Sequence, residues 1–465
     1  MSDELTKLSA ARAAELIRGG ELSPVELVGA YLRRVESLNP RLNAVVTLAP
    51  DVLKLARKAE TAVARGDSVG PLHGVPVTVK DTIDVRGVRT TRGSRVDAQR
   101  VPAEDARAVA RLRAAGAIIF GKTNCAELAL EYTAENLVFG RTNNPHDLTR
   151  SPGGSSGGCA AAVAACLTAA SLGSDLAGSV RIPAHFCGVA GLKPTAGRVP
   201  GHGHAPPVVG PHALGASLGP LARSVEDLEL LFGVLADDEA PSADVESLRG
   251  TRAAFYFDDG TVPATDEIRA AVVRAAEALK DAGLLVEEER PPSIESANAA
   301  WLSVFSYPTV SYLRGYYRGR EDEAGPVARA MLRRDAREPD ADVVVASWRE
   351  VRRLRDELLS WMERTPLVVA PVGPVEAFRH EESRKIEVNG KVFPVFRAFA
   401  LAQAFNVYDL PAVCVPAGRT RGGLPVGVQI AGRPFEERRV LAASRVVERA
   451  LGGRQPPPEF EDSSK

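Results

Sequence analysis

The chain has 465 residues, 45% of them hydrophobic, and 58 lysines and arginines balance 59 aspartates and glutamates. That length sustains a large core, while the even charge gives no general electrostatic pull toward nucleic acid or an anionic membrane. No apolar run approaches the roughly 20 residues of a membrane span, the start MSDELTKLSAARAAEL is not a secretory leader, and five cysteines without a C-x-x-C pair read as reduced, buried thiols in a cytoplasmic protein.

Helical and strand patterns alternate from the start. The spacing predicts helices over Ser9–Arg18, from Ser23-Pro24 to a stop at Asn39-Pro40, and over Val52–Arg65. Gly74–Asp81 (GVPVTVKD) alternates like a strand. Glu104–Ala115 reads as a helix and Ala117–Phe120 as a short buried strand. The small-residue run CAAAVAACLTAAS after Gly158 reads as a helix that could pack closely on a sheet. Arg252–Phe257, Asp266–Ala282 and Leu284–Glu289 form a strand–helix–strand unit. Strands separated by helices of this length predict an α/β fold whose sheet is covered by helices on both faces. Residues 293–390 hold all three tryptophans, four of the eight tyrosines and the charged stretch Ser347–Arg364. They read as a helical excursion packed over one end of the sheet. The last residues, QPPPEFEDSSK, read as disordered.

Two short motifs fit familiar expressions in the wrong context. Gly116–Thr123 (GAIIFGKT) matches the phosphate-binding G-x-x-x-x-G-K-T. Its variable residues, however, are those of a buried strand and a helix precedes them, the reverse of what a phosphate loop needs. Gly153–Gly157 (GGSSG) matches G-x-S-x-G, but the polar Asp147–Pro152 before it is not the strand that a nucleophile elbow requires. His202, His204 and His212 sit together in a Gly/Pro-rich loop, so a serine–histidine triad is not indicated.

Two bare turns carry more weight. Ser151–Gly158 (SPGGSSGG) presents Ser155, and Gly173–Pro183 (GSDLAGSVRIP) presents Ser179. Backbone stripped of side chains lets N–H groups converge on a developing oxyanion. A serine hydroxyl needs a neighbour to take its proton, and a lysine serves if burial keeps it neutral. Lys80, at the end of the GVPVTVK strand, is the candidate. Against this stand simpler possibilities. A strand-end lysine is usually solvated, a Gly/Ser turn is often a linker or anion nest, and Asp175 with Arg181 could be a surface pair.

The stretch GGSSGGCAAAVAACLTAASLGSDLAGSVRIPA resembles the amidase signature family, with the spacing from Ser155 to Ser179 maintained throughout. Leu72–Asp81, Phe120–Asn124, Phe139–Pro145, Gly188–Thr195 and Gly219–Ser224 are also similar to that family. So are the segments around Asn406–Pro416 and Gly423–Ile430. The likeness covers most of residues 20–235 and 365–450. It implies a single large domain with a mixed central β-sheet; with the excursion read from composition at 293–390, that domain is expected over residues 1–455, followed by the tail at 456–465. It implies amide hydrolysis through an acyl-serine, with no metal or organic cofactor. Ser179 would be the nucleophile, Lys80 the base, and Ser155, preceded by a cis peptide bond from Gly154, the proton relay. The backbone N–H groups of Leu176, Ala177, Gly178 and Ser179 would hold the oxyanion, and Ala129 would line the acyl pocket. The partner implied is a small-molecule amide; a homodimer is allowed, and neither nucleic acid nor a membrane is expected.

Three departures qualify the likeness. Ala177 stands where a glycine is common, Tyr408-Asp409 stands where many relatives have glycine, and Asp409 could be either a pocket group or a turn residue. The loop Val199–Leu218 lacks the serine–aspartate pattern seen in the glutaminase chain of the tRNA-dependent amidotransferases, which favours a stand-alone amidase acting on linear amides. The alternatives are such a glutaminase chain and a non-catalytic binding protein on the same fold.

Overall fold

The computed structural model describes residues 2–238, 243–333, 339–454 and 456–457. Eleven strands form one mixed sheet: β1 Val45–Leu48, β2 Pro76–Lys80, β3 Ile118–Thr123, β4 Ala170–Asp175, β5 Ala190–Lys193, β6 Ser217–Ala222, β7 Arg252–Phe255, β8 Leu285–Glu288, β9 Leu367–Pro371, β10 Ala412–Arg419 and β11 Pro425–Gly432. Their order across the sheet is β1-β3-β2-β4-β6-β5-β10-β11-β9-β7-β8. β3, β2 and β4 run parallel, as do β9, β7 and β8, and the strands between them are antiparallel. Every residue of β2, β3, β4, β6, β9 and β11 is buried. Strands covered on both faces need continuous rather than alternating apolar sequence, and ASLGSD and SLGPLA meet the same demand with small residues.

The helices that shape the site are α1 Gly157–Ala164, α2 Arg181–Cys187, α3 Ala297–Tyr316, α4 Ala341–Met362 and α5 Ala400–Val407. All eight residues of α1 are buried, so its glycines and alanines are a packing requirement.

The structure corrects several boundaries. The second helix runs Pro24–Leu42, through Pro40. It ends when Asn43 turns left-handed at φ 51°, while the Asn39 side chain accepts the N–H groups of Ala44 and Val45 at 2.9 Å each. The helix expected through the alanine run stops at Ala164. Cys166 takes φ 55° there, and Arg454 and Arg34 donate to the carbonyls of Ala164 and Ala165. Ala170-Ser171 then opens a strand. The excursion at 293–390 is not helical throughout. Leu367–Pro371 is a buried strand seated between β11 and β7, and Lys385–Val388 pairs with Lys391–Pro394 as a hairpin. Its LVVAP run is too short and too apolar for the charged helix that precedes it. The tail expected to be disordered lies, from residue 458 onward, outside the described residues; the Pro456 carbonyl accepts from Arg419 Nη2 at 2.8 Å.

Candidate active site

β2 and β4 are parallel neighbours, with Val79 beside Leu172, so their carboxyl ends emerge together. Ligand sites in open α/β sheets form at such ends. Lys80 is the last residue of β2, and its side chain is fully buried. Its Nζ donates to Ser155 Oγ at 2.7 Å and to Ser174 Oγ at 2.9 Å. Burial pulls the Lys80 ammonium down from 10.5 to about 8, slightly offset by the Cys125 and Cys159 thiols and Asp175. The expectation that such a lysine is usually solvated does not hold here.

The Ser155 turn approaches a second backbone closely. A Cβ on Gly154 would lie 2.1 Å from the Thr133 carbonyl oxygen, and the Gly154–Ser155 peptide is cis. Ser156 staples this turn to the Ser179 turn. Its N–H donates to the Ser179 carbonyl at 3.2 Å, its hydroxyl donates to the Ser174 carbonyl at 3.2 Å and accepts from Ser174 N–H at 3.3 Å.

The Ser179 turn is wound around a carboxylate. Asp175 is buried and accepts from Gly178 N–H at 2.7 Å, Val180 N–H at 3.1 Å and Asn406 Nδ2 at 3.0 Å. Arg181 spans both of its oxygens at 3.0 Å and also donates to Gln429 and Asn406 at 2.7 Å. Asp175 and Arg181 are therefore a buried pair, not a surface one. Despite its burial, the guanidinium holds the Asp175 carboxyl well below the usual carboxylate range.

From the outer side, two aromatic donors grip the same turn. Trp301 Nε1 donates to the Leu176 carbonyl at 2.8 Å, and the Tyr132 hydroxyl donates to the Ala177 carbonyl at 2.7 Å. Gln403 Nε2 donates to that hydroxyl at 3.0 Å, and Phe396 lies against both rings. Each carbonyl shares its peptide plane with the next residue's N–H, so the two contacts fix the planes that carry the Ala177 and Gly178 N–H groups. Gly178, at φ 103°, has its N–H committed to Asp175, whereas the N–H groups of Leu176, Ala177 and Ser179 have no acceptor among the described residues. Of the four N–H groups expected to hold the oxyanion, that of Gly178 donates to the Asp175 carboxylate in this structure.

Ala129 lies half-buried at φ 60°, and its N–H donates to Ala126; no hydrogen bond joins it to Lys80, Ser155 or Ser179 among the described residues. Asp409 accepts from Ala196 N–H at 2.8 Å and lies 3.9 Å from Lys193 Nζ, with its own backbone at φ 52°, so it serves a turn. Lys122, from the apparent phosphate loop, is fully buried on β3 and donates to the Ile83 carbonyl and to Thr90, which leaves no loop to cradle phosphate. All five cysteines are free and buried. Among the described residues no helix is long and apolar enough to cross a membrane, and no cluster of His, Cys, Asp and Glu could hold a metal. Sequence reasoning missed Ser156, Ser174, His204, Tyr132 and the outward donation from Trp301. Only Ser156 had a local signal, as the second serine of GGSSGG.

The family model described as Amidase matches residues 26–441. A glutamyl-tRNA(Gln) amidotransferase subunit from Carboxydothermus hydrogenoformans is 34% identical over 96% of this chain and 97% of its own. The same subunit from Moorella thermoacetica is 35% identical over 98% and 99%. Among solved structures, a crystallised amidase superposes at a TM-score of 0.87 with 31% identity, covering 96% of this chain and 100% of its own. A 6-aminohexanoate cyclic dimer hydrolase superposes at 0.85 with 30% identity, covering 98% and 99%. Fold, site geometry and these likenesses together establish that the chain belongs to the amidase signature family, whose members hydrolyse amides.

Proposed function

We propose that this protein is a stand-alone amidase that cleaves small linear amides through an acyl-enzyme on Ser179. The observation that carries the reading is the fully buried Lys80 donating to Ser155, where desolvation lowers the ammonium to about 8 and brings the neutral base within reach. In its neutral form Lys80 takes the Ser155 proton while Ser155 takes the Ser179 proton. Ser179 Oγ then bonds the carbonyl carbon, and the three free N–H groups of Leu176, Ala177 and Ser179 receive the oxyanion. Collapse breaks the C–N bond as the proton returns from Lys80 through Ser155 to the leaving nitrogen. Water, deprotonated by the same relay, cleaves the acyl ester to carboxylate. No step calls on a metal or organic cofactor. Ala129 would border the acyl group, next to the Tyr132 that holds the turn.

A fluorophosphonate probe tests the assignment. It should attach to Ser179 by mass spectrometry, and Ser179→Ala should lose both labelling and amide hydrolysis with an unchanged melting temperature. Labelling on Ser155 would overturn it.

A second reading, a glutaminase chain working within an amidotransferase, is favoured by the 34–35% identity to two such proteins. Release of ammonia from glutamine that depends on a co-purifying second chain selects it; turnover of simple amides by the isolated chain selects the first.

A further inference from the structure

Lys80 has a second contact that the relay does not use. Its Nζ lies 2.9 Å from Ser174 Oγ, and Ser174 Oγ lies 2.9 Å from His204 Nε2. A neutral lysine has two protons and one lone pair. To act as base on Ser155, that lone pair must face Ser155. Ser174 threatens this arrangement, because its hydroxyl proton could equally be given to Lys80.

His204 resolves the competition. Its Nδ1 lies 2.8 Å from the Pro206 carbonyl, which can only accept, so Nδ1 carries the proton and Nε2 is left as an acceptor. Nε2 faces the hydroxyls of Ser174 and, at 3.1 Å, Thr82. Tautomer assignment by a fixed partner on the other ring nitrogen is a common way of setting a histidine's role. Desolvation, with Arg92 nearby, pulls the His204 imidazolium down to about 3, so the ring is neutral through the pH range in which Lys80 acts as a base.

We propose that His204 is a positioning residue: it draws the Ser174 proton away from Lys80, so that Ser174 accepts from Lys80 and the lysine lone pair is left directed at Ser155. The inference rests on the reading of Lys80 as base and deepens it. The loop Val199–Leu218, which the relay itself does not need, thereby gains a role in activating it.

The test is the rate of fluorophosphonate labelling of Ser179, together with kcat and KM for one simple amide. His204→Ala should slow labelling and lower kcat roughly tenfold or more with KM little changed, because the free Ser174 proton now occupies the lysine lone pair. His204→Gln, which keeps an acceptor on the long side chain, should recover most of the rate. The decisive variant is the double substitution His204→Ala/Ser174→Ala. Removing the competing hydroxyl should restore labelling well above the His204→Ala rate, although a second buried contact has been lost. A merely structural role for His204 predicts a further decline instead, and that decline would overturn the proposal. So would wild-type labelling in His204→Ala. If Lys80→Met labels as fast as wild type, the base assignment itself fails, a result separable from failure of the double variant.

Discussion

A buried amine without a carboxylate partner is an unusual thing for a protein to keep. Lys80 is closed off from solvent, and its direct partners are the hydroxyls of Ser155 and Ser174. Desolvation disfavours the charged form, which brings the neutral base within reach at ordinary pH. The acid limb of kcat/KM should therefore fall about tenfold per pH unit below about 8 and flatten above it. Stability shifts in the same direction but in a different pH window. With the folded lysine near 8 and its ordinary value at 10.5, the unfolded chain binds the extra proton between those limits. This group's contribution to stability thus rises with pH from 8 to 10.5, and below 8 its burial is a standing cost. Lys80→Met, an apolar side chain of similar length, should abolish turnover and raise the melting temperature at pH 7, measured by calorimetry on the same preparation. A melting temperature that fell would mean that the hydroxyl contacts outweigh desolvation. At this scale Lys80, Ser155 and Ser179 were legible because their motifs are continuous and their spacing is fixed. Ser174 and His204 were not, since 30 residues separate a contact that only the folded loop creates.

The elements around the Ser179 turn act as a clamp. α3 reaches in with Trp301 and the segment after β3 with Tyr132, each donating to one carbonyl of the turn. The aromatic run Trp301–Tyr317 could serve either to line a substrate pocket or to fasten the excursion to the sheet. Trp301 and Phe305 are buried in the main core, whereas Tyr317 bonds Glu127 at 2.6 Å and packs in a separate cluster with Leu128. The run therefore fastens α3 to both the Ser179 turn and the Ala129 segment. Trp301→Phe keeps a ring and removes the donor. One neutral hydrogen bond contributes about 0.5–1.5 kcal/mol, so kcat should fall by up to roughly tenfold. Acetamide-sized and aryl amides should lose activity in parallel, because the turn is common to both. A loss confined to aryl amides in the same assay would return the indole to direct substrate contact. The long-range pairing of this clamp explains why α3 carried a composition signal but no positional one. β9 was missed within the expected helical excursion, and its place beside β7 depends on chain closure over more than 100 residues.

At the scale of the whole molecule, the turn is fixed from strands that arrive late in the chain. Arg181 on α2 joins Asp175 at the end of β4 to Asn406 on α5 and Gln429 on β11, and all four side chains are buried. The turn around residues 173–183 is therefore held partly by side chains from C-terminal elements. The sequence could mark Asn406 and Gln429 as parts of family-like segments, but their convergence on one guanidinium follows from sheet order, in which β4 and β11 are four strands apart. Breaking a buried pair by removing one member typically costs about 3–5 kcal/mol, the size of the desolvation left uncompensated on the other. Arg181→Met should thus destabilise the protein by roughly that amount at pH 7. The pH dependence gives the mechanism a sharper check. In the intact protein the Asp175 carboxyl is held far below its ordinary range by Arg181, so its contribution is complete at neutral pH and lost only as pH falls through that depressed value. Without Arg181, burial raises the same carboxyl, and protonation in mild acid relieves it. The gap in melting temperature between wild type and Arg181→Met should accordingly be widest near pH 7 and narrow as the pH is lowered toward 4. A gap that stayed constant across that range would mean that Arg181 stabilises the turn by packing rather than by charge.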